Sequence, residues 1–365
     1  MDDGHFMHAA LALARRGLGT VWPNPTVGCV LVKEGVVVGR GWTQPGGRPH
    51  GETEALARAG ENAKGATAYV SLEPCCHHGK TPPCVDALMA AGVARVVVPI
   101  EDPDPRVSGR GLARLRDAGI AVELGLGAAE AADINAGFLK RIAEGRPLVT
   151  LKLAATLDGK IATAAGESRW ITGERARERA HLLRANHDAV MVGVATVVAD
   201  DPLLTCRLPG LEGRSPVRIV VDGSLRVPLT AKLVAEARDV PTWIIHRPGA
   251  GAPRLEALRD CGVEPIEAPL SPSAELDLPA ALALLGKRGL TRILVEGGAR
   301  LAGALLEADL VDRVAWFHAP MLMGGDGLSG VEAFGVRELA AAPRFVRSGI
   351  EELGADLLET LARAH

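Results

Sequence analysis

The feature that most restricts the folding of this chain is a set of side chains in fixed order. His50-Gly51-Glu52 comes first, then Pro74-Cys75-Cys76-His77-His78-Gly79-Lys80-Thr81-Pro82-Pro83-Cys84. A structural zinc site closes its tetrahedron with four protein ligands, whereas a catalytic one keeps three and leaves the fourth place to water. His50, Cys75 and Cys84 supply three. Glu52 stands two residues from the histidine, placed to move protons on and off that water. The three ligands can meet only if the segments carrying them fold against one another. Residues 51–63 have helical periodicity, 66–72 read as a strand delivering Cys75, and 85–91 read as a second helix. The ligands then sit at one sheet edge, with two helix N-termini favouring the thiolate forms. A zinc knuckle is the competing reading. Eight residues separate Cys75 from Cys84, longer than a Cys-x-x-Cys, and a purely structural site has no use for Glu52. Cys76 competes with Cys75 as ligand, but the residue directly after Pro74 fits better.

A chain of 365 residues exceeds what one core usually serves, so two domains are expected. Aromatic residues make up only 3%, so the cores must be built from Ala, Val and Leu. The formal net charge is -3 and neither half is basic, which argues against nucleic-acid or membrane-surface partners. No apolar run approaches the ~18 residues of a membrane span. The acidic start Met1-Asp2-Asp3-Gly4-His5 lacks the order of a signal peptide, so a cytoplasmic, reducing location is expected. Cys29, Cys206 and Cys261 then read as small buried residues.

Along the chain, a helix is expected over 2–17. The rigid loop Trp22-Pro23-Asn24-Pro25 follows; its Asn24 is either a turn residue or an amide facing a heterocycle. Strands at 27–32 and 36–41 form a hairpin. Further strands are expected at 95–100 and 120–124, with helices at 109–118 and 128–143. Strands alternating with helices imply a three-layer α/β domain over residues 1–145. Pro147 opens a second α/β domain, 147–365, with strands at 148–153, 189–194, 217–221, 242–246, 292–295 and 311–317. Helices are expected at 173–186, 253–261, 278–286 and 298–307. No Gly-x-Gly-x-x-Gly follows its first strand. Val295-Glu296-Gly297-Gly298-Ala299 instead places two glycines before a helix, which serves either a phosphate or a tight turn.

His-x-Glu followed by Pro-Cys and a further Cys is the zinc deaminase pattern. The segments Trp22-Pro23-Asn24-Pro25-Thr26-Val27-Gly28, His50-Gly51-Glu52, 72–84 and Glu101-Asp102-Pro103-Asp104-Pro105 resemble the deaminase half of the bifunctional riboflavin-biosynthesis deaminase/reductase family. That resemblance implies a cytidine-deaminase-like fold and a pyrimidine carrying a ribosylamino phosphate. Zinc would be held by His50, Cys75 and Cys84, and Glu52 would be the catalytic acid-base. Asn24, Lys80 and Asp102 would border the substrate. Many relatives have Ala, His and Asn where Gly51, Thr43 and Asp104 stand, so contacts at positions 43 and 104 are the exposed points of the comparison.

Residues 152–162, Ser168-Arg169-Trp170-Ile171-Thr172, Arg184, 193–207 and Glu296-Gly297-Gly298 resemble the reductase half of the same family, whose fold is similar to dihydrofolate reductase. The resemblance implies NADPH, with Ala154, Trp170, Thr196, Asp200, Ser224 and Gly298 at cofactor positions. Ser168, Arg184, Leu204, Arg207 and Glu296 fall at substrate positions. Arg184 and Arg207 can fork onto a phosphate. Asp200 is the acid candidate, with Lys152 beside the substrate as electrostatic helper. A homo-oligomer, dimer or tetramer, is implied as well.

Overall fold

A computed structural model describes residues 2–364. The chain divides into two compact units, one ending at Gly145 and the other starting at Arg146.

The first unit is a five-stranded sheet with helices on both faces. Helix α1 (Asp3–Ala14) precedes the hairpin β1 (Gly28–Lys33) and β2 (Val36–Trp42). Then come α2 (Gly51–Ala59), β3 (Thr67–Val70), α3 (Cys84–Ala90), β4 (Arg95–Val98), α4 (Arg110–Asp117), β5 (Ala121–Leu124), α5 (Ala128–Ile134) and α6 (Ala136–Glu144). The sheet order is β2-β1-β3-β4-β5. β1 runs antiparallel to β2 and β3, and β3, β4 and β5 run parallel. One face packs Leu31, Val70, Val96 and Leu88 into a core, and the other packs Met7, Leu11, Val30 and Val97. These two apolar layers, with Phe6, Tyr69 and Phe138 as their buried aromatics, make the expected cytidine-deaminase-like, three-layer unit.

Three glycines, Gly28, Gly39 and Gly41, bring helices unusually close to the hairpin. A Cβ on Gly28 would stand 2.0 Å from the Ala10 carbonyl oxygen of α1, and one on Gly41 would stand 2.4 Å from that of Gly51 at the start of α2. The expected single helix over 128–143 is broken at Asn135 between α5 and α6. Its side-chain amide bonds both backbone groups of Thr26, a tertiary pairing that competes with continued helix.

The second unit opens with β6 (Leu148–Thr156) and β7 (Lys160–Ala162), then α7 (Glu174–Ala185), β8 (Ala189–Gly193), α8 (Val194–Asp200) and β9 (Val217–Val221). It continues through α9 (Lys232–Ala235), β10 (Thr242–His246), α10 (Ala252–Asp260), β11 (Glu264–Glu267), α11 (Leu278–Lys287), β12 (Arg292–Glu296) and α12 (Ala299–Glu307). β13 (Arg313–Ala319), β14 (Leu328–Ser329), β15 (Phe345–Leu353) and β16 (Asp356–Arg363) end it. The main sheet runs β11-β10-β9-β8-β12-β6-β13-β16-β15. Its strands from β11 through β13 in that order are parallel, β16 runs antiparallel to β13 and β15 antiparallel to β16, a dihydrofolate-reductase-like mixed sheet. β12 is buried along its whole length, as expected of a parallel strand covered on both faces. The carboxyl ends of β9, β8, β12 and β6 lie side by side, the place where open α/β sheets hold ligands. No helix among the described residues is long and apolar enough to cross a membrane.

Candidate active sites

In the first unit His50 is the N-cap of α2 and Cys84 is the first residue of α3. Cys75 follows β3 on the loop between them. The ligand atoms of His50, Cys75 and Cys84 all lie within 4.8 Å of one another. His50 Nδ1 is 3.2 Å from Cys84 Sγ and 3.6 Å from Cys75 Sγ, and the Cys84 amide donates to Cys75 Sγ at 3.3 Å. Cys76 turns away, its Sγ on the Arg106 carbonyl at 3.4 Å, which removes it as a rival ligand. No fourth protein ligand joins the three among the described residues.

Glu52 is 3% exposed and its Oε2 is buried with no hydrogen-bond partner. Burial pushes its carboxyl up to about 7, against the pull of His50. Sharing a hydrogen bond with Cys84 holds the Cys75 thiol down, to about 4, despite its burial. The same hydrogen bond, followed by burial, pushes the Cys84 thiol well up. A dication held here would take both sulfurs as thiolates. Three convergent soft donors and an orphaned carboxylate oxygen fit a catalytic zinc.

Around this centre the structure sorts the other residues named from the sequence. Asn24 is half-buried and its Nδ2 donates to the Gly47 carbonyl at 3.0 Å, tying its loop to the approach to His50. Asp102 is buried, accepts from the Asp104 amide at 2.8 Å, and is pushed up to about 6 by burial. Lys80 is exposed on the loop before α3. Arg48, to which the sequence reading gives no role, bonds Thr81 Oγ1. Its Nη2 would stand 3.2 Å from a Cβ on Gly79, so a second cation borders the Lys80 loop. His77 Nδ1 is buried and unpartnered.

The two departures resolve locally. Thr43 is buried and its hydroxyl bonds both backbone groups of Val27. Asp104 receives Arg106 through backbone and guanidinium, so its carboxylate is neutralised within the loop.

In the second unit a cavity of about 750 Å³ gathers Lys152, Ala154, Ser168, Trp170, Arg184, Asp200, Leu204, Arg207 and Glu296. Thr196, Ser224 and Gly298 lie outside its lining. Thr196 Oγ1 would be 3.5 Å from a Cβ on Gly298, whose φ is +88°, so these two meet where β8 and β12 end. Ser224 is exposed just past β9.

At the floor of the cavity Arg184 Nε and Nη2 donate to Glu296 at 2.6 and 2.9 Å, and Nη1 donates to the Thr205 carbonyl at 2.9 Å. Arg184 is thus the counterion of a buried carboxylate, its fork seated on Glu296. Arg207 is exposed at the rim and remains open. Burial acts to raise Glu296, but Arg184, joined by Lys152, outweighs it and holds the carboxyl at about 2. Lys152 Nζ stands 4.0 Å from Glu296, and burial lowers its ammonium below the ordinary lysine value. His181, also lining the cavity, is lowered to about 4 by burial and then by Arg184 and Arg207. Asp200 is exposed at the rim, the last residue of α8. Trp170 is 68% exposed, with the Arg177 guanidinium 4.6 Å from its ring.

Residues 147–358 match the family described as RibD C-terminal domain, and residues 1–100 match the cytidine and deoxycytidylate deaminase zinc-binding region. The riboflavin biosynthesis protein RibD of Escherichia coli is 47% identical over 98% of both chains, and that of Aquifex aeolicus is 43% identical over 98% of this chain and 97% of its own. Acinetobacter baumannii RibD superposes with a TM-score of 0.88 at 39% identity, covering 100% of this chain and 99% of that one. A Thermotoga maritima diaminohydroxyphosphoribosylaminopyrimidine deaminase/5-amino-6-(5-phosphoribosylamino)uracil reductase gives 0.85 at 34% identity, covering 99% and 98%. With both halves matched in one order along nearly the whole length, the chain belongs to the RibD family of bifunctional riboflavin-pathway deaminase/reductases.

Proposed function

We propose that the first unit deaminates 2,5-diamino-6-(5-phosphoribosylamino)pyrimidin-4(3H)-one. The second would then reduce the ribosyl group of 5-amino-6-(5-phosphoribosylamino)uracil to ribityl. The observation carrying this reading is the buried, unpartnered Oε2 of Glu52 beside the His50, Cys75 and Cys84 donors. A zinc ion held by those donors would supply a water acidic enough to ionise near neutral pH. Glu52 takes the proton of the attacking water and returns it to the departing amine nitrogen, which leaves as ammonia. A carboxyl poised at about 7 can do both. Asn24 and Asp102 orient the pyrimidine, and Lys80 with Arg48 meets its phosphate.

In the second unit NADPH would supply the hydride. Thr196, Ser224 and the Gly298 turn cradle it at the strand ends, with Ala154, Trp170 and Asp200 beside it. Arg207 takes the substrate phosphate, with Ser168 and Leu204 shaping the sugar pocket. The Arg184–Glu296 pair fixes polar groups of the substrate. Lys152, a buried ammonium with its proton loosened, is better placed than rim-exposed Asp200 to protonate the opening sugar ring. Ammonia and NADPH consumption, recorded separately with the diaminopyrimidine phosphate, test the scheme. Lys152→Met is expected to stop NADPH oxidation more fully than Asp200→Asn while both release ammonia. Equal loss of both activities in either variant would refute two separate sites.

A further inference from the structure

Glu73 lies two residues before the ligand Cys75, and it takes no part in the chemistry described so far. Its side chain is 3% exposed. No basic group among the described residues pairs with it. Instead, it accepts four backbone N–H groups from one stretch of chain. Oε2 takes the amides of Asp102 at 3.1 Å and Gly109 at 2.9 Å, and Oε1 takes those of Gly111 at 2.9 Å and Leu112 at 3.2 Å.

The last three of these donors are the start of α4. Gly109 is the N-cap and offers no side chain to it. The first amides of a helix need acceptors from outside it, and a carboxylate there also meets the positive helix end. Glu73 supplies from another element what an N-cap Ser or Asp supplies locally. The fit is close: a Cβ on Gly111 would stand 2.4 Å from the Pro74 carbonyl oxygen. The fourth donor is Asp102 itself. The loop between Asp102 and Gly109 is therefore clamped at both ends by one carboxylate. That carboxylate is joined to a metal ligand by only Pro74.

We propose that Glu73 is a positioning residue for deamination, holding the Asp102 loop in register with Cys75 so that the pyrimidine meets the metal centre correctly oriented. This rests on the deaminase reading above. Groups behind a site's ligands are commonly worth about 10–100-fold in activity.

The test uses the zinc-loaded full chain with the diaminopyrimidine ribosylamino phosphate. Glu73→Gln turns one acceptor oxygen into a donor facing amides. It is expected to keep its zinc, to keep its NADPH oxidation when the deaminated uracil substrate is supplied, to raise KM for ammonia release about tenfold or more, and to change kcat less. Amide exchange is expected to quicken at residues 102–112. Glu73→Asp, which keeps the charge, is expected to fall between wild type and Glu73→Gln. Asp102→Asn is expected to raise KM alone and to add little in the Glu73→Gln background. Faster exchange with unchanged KM and kcat would reduce Glu73 to a helix cap and overturn the proposal. Zinc loss from both Glu73→Gln and Glu73→Asp would overturn it too, by assigning the residue to the ligand set. A wild-type chain that oxidises NADPH on the deaminated substrate but releases no ammonia would sink the deaminase reading itself, and this proposal with it.

Discussion

Glu52 and Glu296 are the same side chain, buried to nearly the same degree, at 3% and 7% exposure, yet they end in opposite states. Glu52 forms no ion pair with a Lys or Arg among the described residues, and its Oε2 has no hydrogen-bond partner. Burial decides, and its carboxyl rises to about 7. Glu296 is equally removed from water, but a forked guanidinium and a nearby ammonium override burial and hold it at about 2. Burial alone therefore does not make a proton carrier. A carboxyl carries protons when it is buried and left unpaired, and becomes a fixed charge when it is buried and paired. The deaminase unit needs the first kind, because its reaction moves protons through water and amine. The reductase unit needs the second, because its hydride comes from a cofactor and its side chains chiefly orient charge.

Glu52→Gln should break the comparison most sharply. Ammonia release is expected to fall roughly 10²–10⁴-fold, the usual worth of a positioned acid-base, with zinc content unchanged and NADPH oxidation unchanged when the already deaminated uracil substrate is supplied. A variant that still releases ammonia at the wild-type rate would remove Glu52 from the proton path. Glu296→Gln should act on stability as well as rate. Leaving Arg184 and Lys152 without their counterion is expected to cost about 3–5 kcal/mol, read as an earlier unfolding transition of the reductase unit in denaturant. An unchanged midpoint would mean that water satisfies the two cations.

Acid should separate the paired and unpaired worlds again. His187 bonds the Leu183 carbonyl and Thr150 Oγ1, and burial lowers it from 6.5 to about 4. Between those values the unfolded chain binds the proton that the folded chain refuses, so stability rises with pH. The reductase unit should lose about 3 kcal/mol as pH falls from about 6.5 to about 4, and His187→Gln should flatten that slope. The smallest effect is expected at Asp104→Asn. Arg106 is 68% exposed, and such a pair contributes at most about 1 kcal/mol. A large rise in KM there would show that Asp104 meets the substrate after all.

The zinc centre was legible in the sequence because its parts are local. His50 and Glu52 share one helix start, Cys75 and Cys84 flank one loop, and the strand and helix on either side could be read from periodicity. The reductase pocket draws on residues from Lys152 to Glu296, gathered by a crossing order of strands that no local pattern states. Its residues could be named through family resemblance, but the Arg184–Glu296 pairing could not, since nothing in the segment around Arg184 says what faces it. The break at Asn135 was hidden for the same reason: its partner is Thr26, more than a hundred positions away in the chain. Arg48 and Glu73 escaped because a surface arginine and a lone glutamate carry no pattern. The β15 and β16 hairpin lacks the apolar runs that mark most of the other strands, and β7, β11 and β14 are too short or too polar to show one.

The seam at Gly41 bears on how freely this chain can vary. The start of α2 lies there against β2 at the Gly51 carbonyl oxygen, the Glu54 Cβ and the Ala55 amide, because the strand has no side chain to interpose. A side chain at 39 or 41 would have to lift α2 off the strand, and His50 and Glu52 would move with the helix.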